Sequence, residues 1–474
     1  MWFKKDEDAS KLVVFRNATR KWEVILVSNK RNYRRSSVNK ILPESLRERA
    51  LELGGAGTTV GLDVAKHEIV AVVRWDNGTF ERPWSVKNPD QIEELIERLT
   101  LLRQTCDGLI VALESTGTYS EAIRHAMTMA KLTVHRVSGK AVADYKEIFD
   151  GVPSQHDGKD AAMIAELTAF GKGTPWPYTE VPEDEQQMRH WVLRADAFRT
   201  QANQWTGRVE GLLAKHWPEL NSYLELNSAT LLKILIHYGT PAALASDTNA
   251  ANQLRSWGRG RLVKKKIDDI IESARTTRGI PPNPHEMNWI QEVACEVQAA
   301  LAEVKTCEKS LRKLAENHQV MKRYVKAIGP ATLCVIWTTV GDPAKYSSSG
   351  AFLKALGLNL KELSSGKRQG QLGITKRGPS LARKLLYYWA LRGVQQPELR
   401  QWYTDFQKVG GKTTPASKVR KIKGLVALMR KLCRSFWYVR KHDLEFDYAK
   451  VLPGRPLDQP KKGRRKRSRR KATV

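Results

Sequence analysis

Acids, cysteines and long apolar runs are all scarce in this chain of 474 residues, and each scarcity argues against something. The five cysteines, Cys106, Cys295, Cys307, Cys334 and Cys433, are odd in number, scattered and without CxxC spacing. That argues against a disulfide framework and a zinc site, and for a reducing cytoplasm in which thiols pack as small core residues. No stretch of 18 apolar residues occurs, and Met1-Trp-Phe-Lys-Lys-Asp6 is charged too early for a secretory segment, so no membrane partner is expected. Acids number 50 against 80 lysines and arginines, a formal net charge of +30. Such an imbalance predicts a polyanionic partner, most simply nucleic acid, held with salt-sensitive affinity.

Four of those acids stand where a metal-dependent nucleic-acid enzyme needs them. Asp63 sits in the apolar run Thr58-Thr-Val-Gly-Leu-Asp-Val64, and a second run covers Ile69 to Val73. The pair reads as a β-hairpin with an acid projecting from its first strand. Glu114 closes the run Leu109-Ile-Val-Ala-Leu113, and Ser115-Thr-Gly117 reads as a turn and helix start. Asp157 and Asp160 open a helical segment that ends near Phe170, and at i and i+3 they share one face. Acids so placed can converge on hard divalent cations, two of which, about 4 Å apart, can clamp both reacting oxygens of a phosphodiester. The plainer reading is that acids at strand ends are solvated, and a chain with 50 acids offers many such sets. The element order β–β–(β)–α–β–α–β–α around them favours the sharper one, because it is that of a ribonuclease-H-like domain.

The spacing predicts the remaining organisation. Residues 1–54 form a basic extension with a hairpin near Val13–Phe15 and Val24–Val27, and Arg31, Arg34 and Arg35 either touch phosphate or make a solvated arm. Residues 55–175 form the α/β domain, in which Asp90 caps a helix with Ile92, Leu95, Ile96 and Leu99 as its apolar stripe. Residues 183–321 hold two heptad seams. One runs through Met188, Trp191, Ala195, Phe198, Ala202, Trp205, Val209, Leu212 and His216. The other runs from Val293 to Met321, so the two read as coiled-coil arms around a basic insert at 225–285, pairing either between chains, as a dimer or higher, or antiparallel within one chain. Residues 322–445 form a mostly helical domain, in which the turn at Gly329-Pro330 opens a helix and either offers backbone N–H groups to a phosphate or is a plain helix start. The tail 446–474 carries nine Lys/Arg between 461 and 471 and reads as disordered. The fold class is thus α/β plus α.

The motifs Gly61-Leu-Asp-Val-Ala-Lys66, Leu113-Glu-Ser-Thr-Gly117 and Asp157-Gly-Lys-Asp-Ala161 resemble those of the DEDD transposases of bacterial insertion sequences. So do Ile328-Gly-Pro-Ala-Thr332, Gly341-Asp-Pro343, Leu356-Gly-Leu358, Ser364-Ser-Gly-Lys367 and Ile374-Thr-Lys-Arg-Gly378. The resemblance covers about 58–172 and 322–395, in the family's order. It implies a RuvC-like domain in which Asp63, Glu114, Asp157 and Asp160 bind Mg²⁺, with Mn²⁺ as a substitute. It implies a C-terminal transposase domain whose nucleophile is Ser365, with Ser364 as the fallback one position away. It further implies DNA as substrate (element ends and target), a bridge RNA as guide and a bacterial cytoplasm near the nucleoid, while the seams suggest a homodimer or homotetramer. Four departures stand out: the 1–54 extension, the 225–285 insert, Lys367 after Gly366, and Gln155-His156 before Asp157.

From these expectations follows a composite site in which Ser365 attacks the scissile phosphate and forms a phosphoserine–DNA bond, with metal stabilising the transferring phosphate. Lys367, Arg368, Lys376 and Arg377 would clamp the backbone near the break, or else form a solvated basic loop. The competing readings are a RuvC-like nuclease for branched DNA without a covalent intermediate, and a basic packaging protein. A third, an actin-like sugar kinase, lacks its second glycine-rich phosphate loop and its adenosine-binding segment.

Overall fold

The computed structural model describes residues 11–16, 22–27, 34–115, 117–150, 156–365, 368–408 and 418–452. The chain divides into two compact units, Met1–Glu180 and Val181–Val474.

The first unit opens with an antiparallel hairpin of β1 (Lys11–Arg16) and β2 (Trp22–Val27). A seven-stranded sheet follows, made of β3 (Ser36–Ser37), β4 (Thr59–Val64), β5 (Glu68–Arg74), β6 (Trp84–Lys87), β7 (Ile110–Glu114), β8 (Thr133–Val137) and β9 (Thr174–Pro175). Their spatial order is β3-β6-β5-β4-β7-β8-β9. β5 runs antiparallel to both β4 and β6, whereas β7 runs parallel to β4 and β8 parallel to β7. Two antiparallel returns followed by two helical crossovers fit a ribonuclease-H-like sheet.

Alternation decides what each strand presents to each face. Val60, Leu62 and Val64 of β4 and Val111 and Leu113 of β7 point into one core. There they meet α1 (Pro43–Leu53), α2 (Ile92–Thr105) and α3 (Glu121–Met129). The opposite face, with Val70, Val72 and Ala112, is covered by α4 (Gly139–Asp150) and α5 (Asp157–Ala169). Two local expectations change. The residue preceding α2 is Gln91 rather than Asp90, and it makes no side-chain cap; in the turn before the helix Gln91 N bonds to Lys87 O and Ile92 N to Pro89 O. α3 starts at Glu121, four residues beyond Gly117, whose φ of 68° turns the chain out of the strand.

The second unit is helical. α6 (Glu183–His216) and α12 (Pro284–Asn317) are each 34 residues long and pack antiparallel, with Arg194 paired to Glu303 at 2.8 Å near one end and Lys215 to Glu286 at the other. The seam residues Met188, Ala195, Ala202 and Val209 of α6 are buried, as are Val293, Val297, Ala300, Val304, Cys307 and Leu311 of α12. Trp205 and Trp289 meet edge to face across the pair. At its tip sit α7 (Leu220–Tyr223), α8 (Ala229–Tyr238), α9 (Pro241–Ser246), α10 (Ala250–Trp257) and α11 (Lys264–Thr276). They form a small cap around Leu213, Trp217, Leu231, Ile267, Ile290 and Val297. The basic insert is therefore a packed helical cap.

At the foot of the pair, Met188, Ala195, Cys307 and Leu311 enter one core with the last helices of the chain. These are α13 (Val325–Ile328), α14 (Pro330–Val340), α15 (Ser349–Ala355), α16 (Ser380–Gly393), α17 (Pro397–Gln407) and α18 (Lys418–Lys441). Between α15 and α16 stands an antiparallel hairpin, β10 (Leu360–Ser365) and β11 (Arg368–Ile374), in an otherwise helical region. Four of the five cysteines are buried and Cys295 is exposed.

Candidate active site

Asp63 follows Leu62 on β4 and pairs with Val70 of β5, so it shares the face of Gly61, Val70 and Val72. Glu114, two residues beyond Ala112, lies on the same face of β7. Both acids therefore look toward α5, which begins at Asp157 and carries Asp160 in its first turn. Two small residues let that helix come close. A Cβ at Gly61 would stand 2.0 Å from the Ala161 carbonyl oxygen, and Thr59 Oγ1 donates to the Ala165 carbonyl at 2.9 Å. The start of α5 is fixed by His156, whose Nδ1 accepts from Gly158 N at 3.1 Å.

The four carboxylates feel one another. Burial, followed by the charges of Asp160, Asp157 and Glu114, pushes the Asp63 carboxyl up to about 6, while Lys146 opposes the rise. Burial and then Asp160 raise Glu114 as well, again against Lys146. Two basic side chains sit among them. Lys146 Nζ lies 3.1 Å from Asp160 Oδ1 and 3.2 Å from Oδ2. Arg35 bridges Glu68 at 2.6 Å and Asp157 at 2.5 Å. The sequence offered Arg35 as a phosphate contact or part of a solvated arm, and gave no role to Lys146. Position gives no signal for either: Arg35 and Asp157 are 122 residues apart in the chain.

The residue types suit a hard cation. All four supply carboxylate oxygens, and Asp160 Oδ1 is buried with an ammonium near it but no hydrogen bond of acceptable geometry. Gly139 leaves room for Glu114, since a Cβ there would lie 1.9 Å from Glu114 Oε1. Among the described residues, however, no three acidic, histidine or cysteine side chains are gathered into the shell of a single ion. As the side chains stand, Asp157 and Asp160 turn to Arg35 and Lys146, so holding metal requires carboxylate rotation. Beside Glu114 a cleft of about 370 Å³ is lined by Ser115, Ser138, Arg136 and Lys172, the last two being cations suited to a phosphate.

On the second unit, Ser364 and Ser365 close β10, and Ser365 pairs with Arg368 of β11. Lys367, like Arg31 and the 461–471 run, lies outside the described residues. Lys376 and Arg377 are exposed on the loop that follows the hairpin. That loop is anchored: Lys376, at a φ of 58°, donates its N–H to Gly357 O at 3.0 Å, and a Cβ at Gly357 would lie 2.8 Å from the Arg377 backbone. The Gly341-Asp342-Pro343 motif is structural, with Asp342 accepting from Ala344 N at 2.9 Å and from Arg440 at 2.7 Å. Gly329, at a φ of 96°, starts α14 at the wall of a trough of about 1210 Å³. Lys305, Lys309 and Arg312 of α12 line this trough with Lys322, Lys326, Lys384 and Arg392, against Glu308 and Glu316. Tyr388 exposes its ring there.

Two family models match the chain, one described as Transposase over residues 60–218 and one as Transposase IS116/IS110/IS902 family over residues 323–404. This chain belongs to the IS110-family DEDD transposases. The first match spans the acid-bearing sheet and α6, and the second spans α13 to α17 with the β10–β11 hairpin. For an IS110-family transposase, DNA is the partner, and divalent-metal dependence is what the DEDD family suggests. No curated protein matches the chain. No helix among the described residues is long and apolar enough to cross a membrane.

Proposed function

We propose that this transposase cuts and rejoins DNA through Ser365, with Asp63, Glu114, Asp157 and Asp160 as its Mg²⁺ site. The observation that carries the reading is that β4 and β7 turn Asp63 and Glu114 to the same side of the sheet as the acid-bearing first turn of α5. The Asp63 carboxyl, pushed up to about 6 by burial and then by the charges of Asp160, Asp157 and Glu114, supports it, because a part-buried cluster of acids is poised to take a cation.

When bound, Mg²⁺ would neutralise charge on the transferring phosphate and on the departing oxygen. The Ser365 hydroxyl attacks the scissile phosphorus, its proton passes to a base, and the bond to the 3′ oxygen breaks. A phosphoserine–DNA ester results, and attack by a new 3′ hydroxyl reverses the step and joins the strands. Arg136 and Lys172 beside Glu114, and the cations of the trough, would hold phosphate backbone in place. Lys367, Arg368, Lys376 and Arg377 would do the same around the serine. Target choice would rest with a bridge RNA, whose phosphates suit the same charge, in a homodimer or homotetramer.

The test is to denature a reaction on labelled element-end DNA and look for protein bound covalently to it. The adduct should disappear in Ser365→Ala and in Asp63→Asn, and persist in Ser364→Ala. Cutting that survives Ser365→Ala with no adduct would show instead a RuvC-like nuclease using water. Metal-independent binding with no cutting at all would show a packaging protein.

A further inference from the structure

Arg35 belongs to the segment that precedes the catalytic sheet, yet its side chain ends in the acid site. Its position is fixed by its neighbours. Ser36 N donates to Pro83 O at 2.9 Å, Ser36 and Ser37 pair with Trp84 and Ser85 as β3, and Arg82 Nε donates to the Arg34 carbonyl at 2.6 Å. From this edge the guanidinium reaches Glu68 of β5 on one side and Asp157 of α5 on the other. Glu68 is itself held by Ser85 Oγ at 2.5 Å. Three elements thus build a fork in which one planar cation spans two carboxylates, a geometry that suits arginine better than lysine.

A carboxylate oxygen engaged by a guanidinium is not free to ligate a metal. A divalent ion at Asp157 would also lie within a few ångströms of a fixed positive charge and be repelled by it. We propose that Arg35 is the resident counter-cation of the acid site, a positioning residue that a divalent ion must displace from Asp157. Metal affinity is then set in part by the segment before β3. This rests on the metal-site reading above. Arg35 holds Asp157 oriented while no metal is bound, and on displacement keeps Glu68 as its partner, so the side chain stays beside the site. Lys146 answers to Asp160 in the same way but arises within the α/β domain itself. The contacts are part-exposed, with 29% of the Arg35 and 55% of the Asp157 side chain accessible, so the competition is modest.

The test is calorimetric titration of Mn²⁺ into the full chain, with wild type, Arg35→Gln, Arg35→Lys and Asp157→Asn each checked for native circular dichroism. Removing the competing charge in Arg35→Gln should tighten Mn²⁺ binding about three- to tenfold. Arg35→Lys keeps the charge but loses the fork, and should shift the same way by less. The rise in Tm on adding Mn²⁺ should be larger in both variants than in wild type. Equal or weaker Mn²⁺ affinity in folded Arg35→Gln and Arg35→Lys would overturn the proposal while leaving the metal site intact. A wild type that binds no Mn²⁺, or binds it undiminished in Asp157→Asn, would overturn the metal-site reading and the proposal with it.

Discussion

Gly61 and Ala161 are in such close apposition that a methyl group on the first would overlap the carbonyl oxygen of the second, at 2.0 Å. The Asp63-bearing strand and the helix that carries Asp157 and Asp160 meet backbone to backbone at this point. Gly61→Ala should force α5 off the sheet and cost about 3 kcal/mol, as overpacking of a rigid core does. It should also separate Asp63 from Asp157 and Asp160, and so weaken metal binding. Chemical denaturation with Mn²⁺ titration checks both; an unchanged midpoint would show that the contact is not tight.

The pH dependence of Asp63 has a defined sign. Its folded pKa of about 6 lies above its ordinary 3.8, so the folded, metal-free protein holds this proton more firmly than the unfolded chain does. The stabilisation this gives is complete below about pH 4 and is lost as pH rises through about 6. Asp63→Asn removes that loss, so its Tm advantage over wild type should grow between pH 4 and 8 in chelator. Metal affinity of the wild type should run the other way, rising with pH through 6, because the protonated carboxyl is a poor ligand. Flat profiles in both measurements would contradict the assignment.

The trough between the foot of the arms and α16 should carry phosphate. Reversing Lys309 and Lys326 to glutamate should weaken DNA or RNA binding at all sequences alike. Each lost contact should lower the slope of log affinity against log salt by about one. Anisotropy titrations across a potassium chloride series read this directly, and an unaltered slope would remove the trough from the interface.

Asp342 and Arg440 form an ion pair whose side chains are only 15% and 18% exposed, and Asp342 also accepts the Ala344 N–H. Asp342→Ala leaves the guanidinium without its partner, and Arg440 Nε already has none. The loss should be about 2 to 3 kcal/mol, toward the low end for a buried pair because some solvent reaches it. A Tm within a degree of wild type would refute this.

Where strands and helices bury one face, their spacing could be read directly. Val60, Leu62 and Val64 alternate with Gly61 and Asp63, and a strand with this pattern has only one register that hides the valines. Met188, Ala195, Ala202, Val209 and His216 of the α6 seam and Val293, Val297, Ala300, Val304, Cys307 and Leu311 of the α12 seam lie buried, whereas Trp191, Phe198, Trp205 and Leu212 are half-buried; the pattern alone left open whether the arms pair within one chain or between chains. The β10–β11 hairpin went unread because Lys361, Glu362 and Gln371 break any apolar alternation and no sheet covers it. The cap of α7 to α11 was illegible for another reason: its helices are short, and they are stabilised by the tip of the arm pair more than by their own periodicity. Arg35 and Lys146 could not be placed at all, since an arginine or lysine in a basic chain carries no mark of the distant acid it will meet.

The antiparallel pair also works as a ruler. A helix of 34 residues rises about 50 Å, so the basic cap is carried that far from the helices that hold the serine hairpin. Laid along B-form DNA at about 3.4 Å per base pair, the span corresponds to about fifteen base pairs. Lengthening both helices by one heptad would add about 10 Å, or three base pairs. A footprint on DNA that grows by that amount would measure the arm as a spacer.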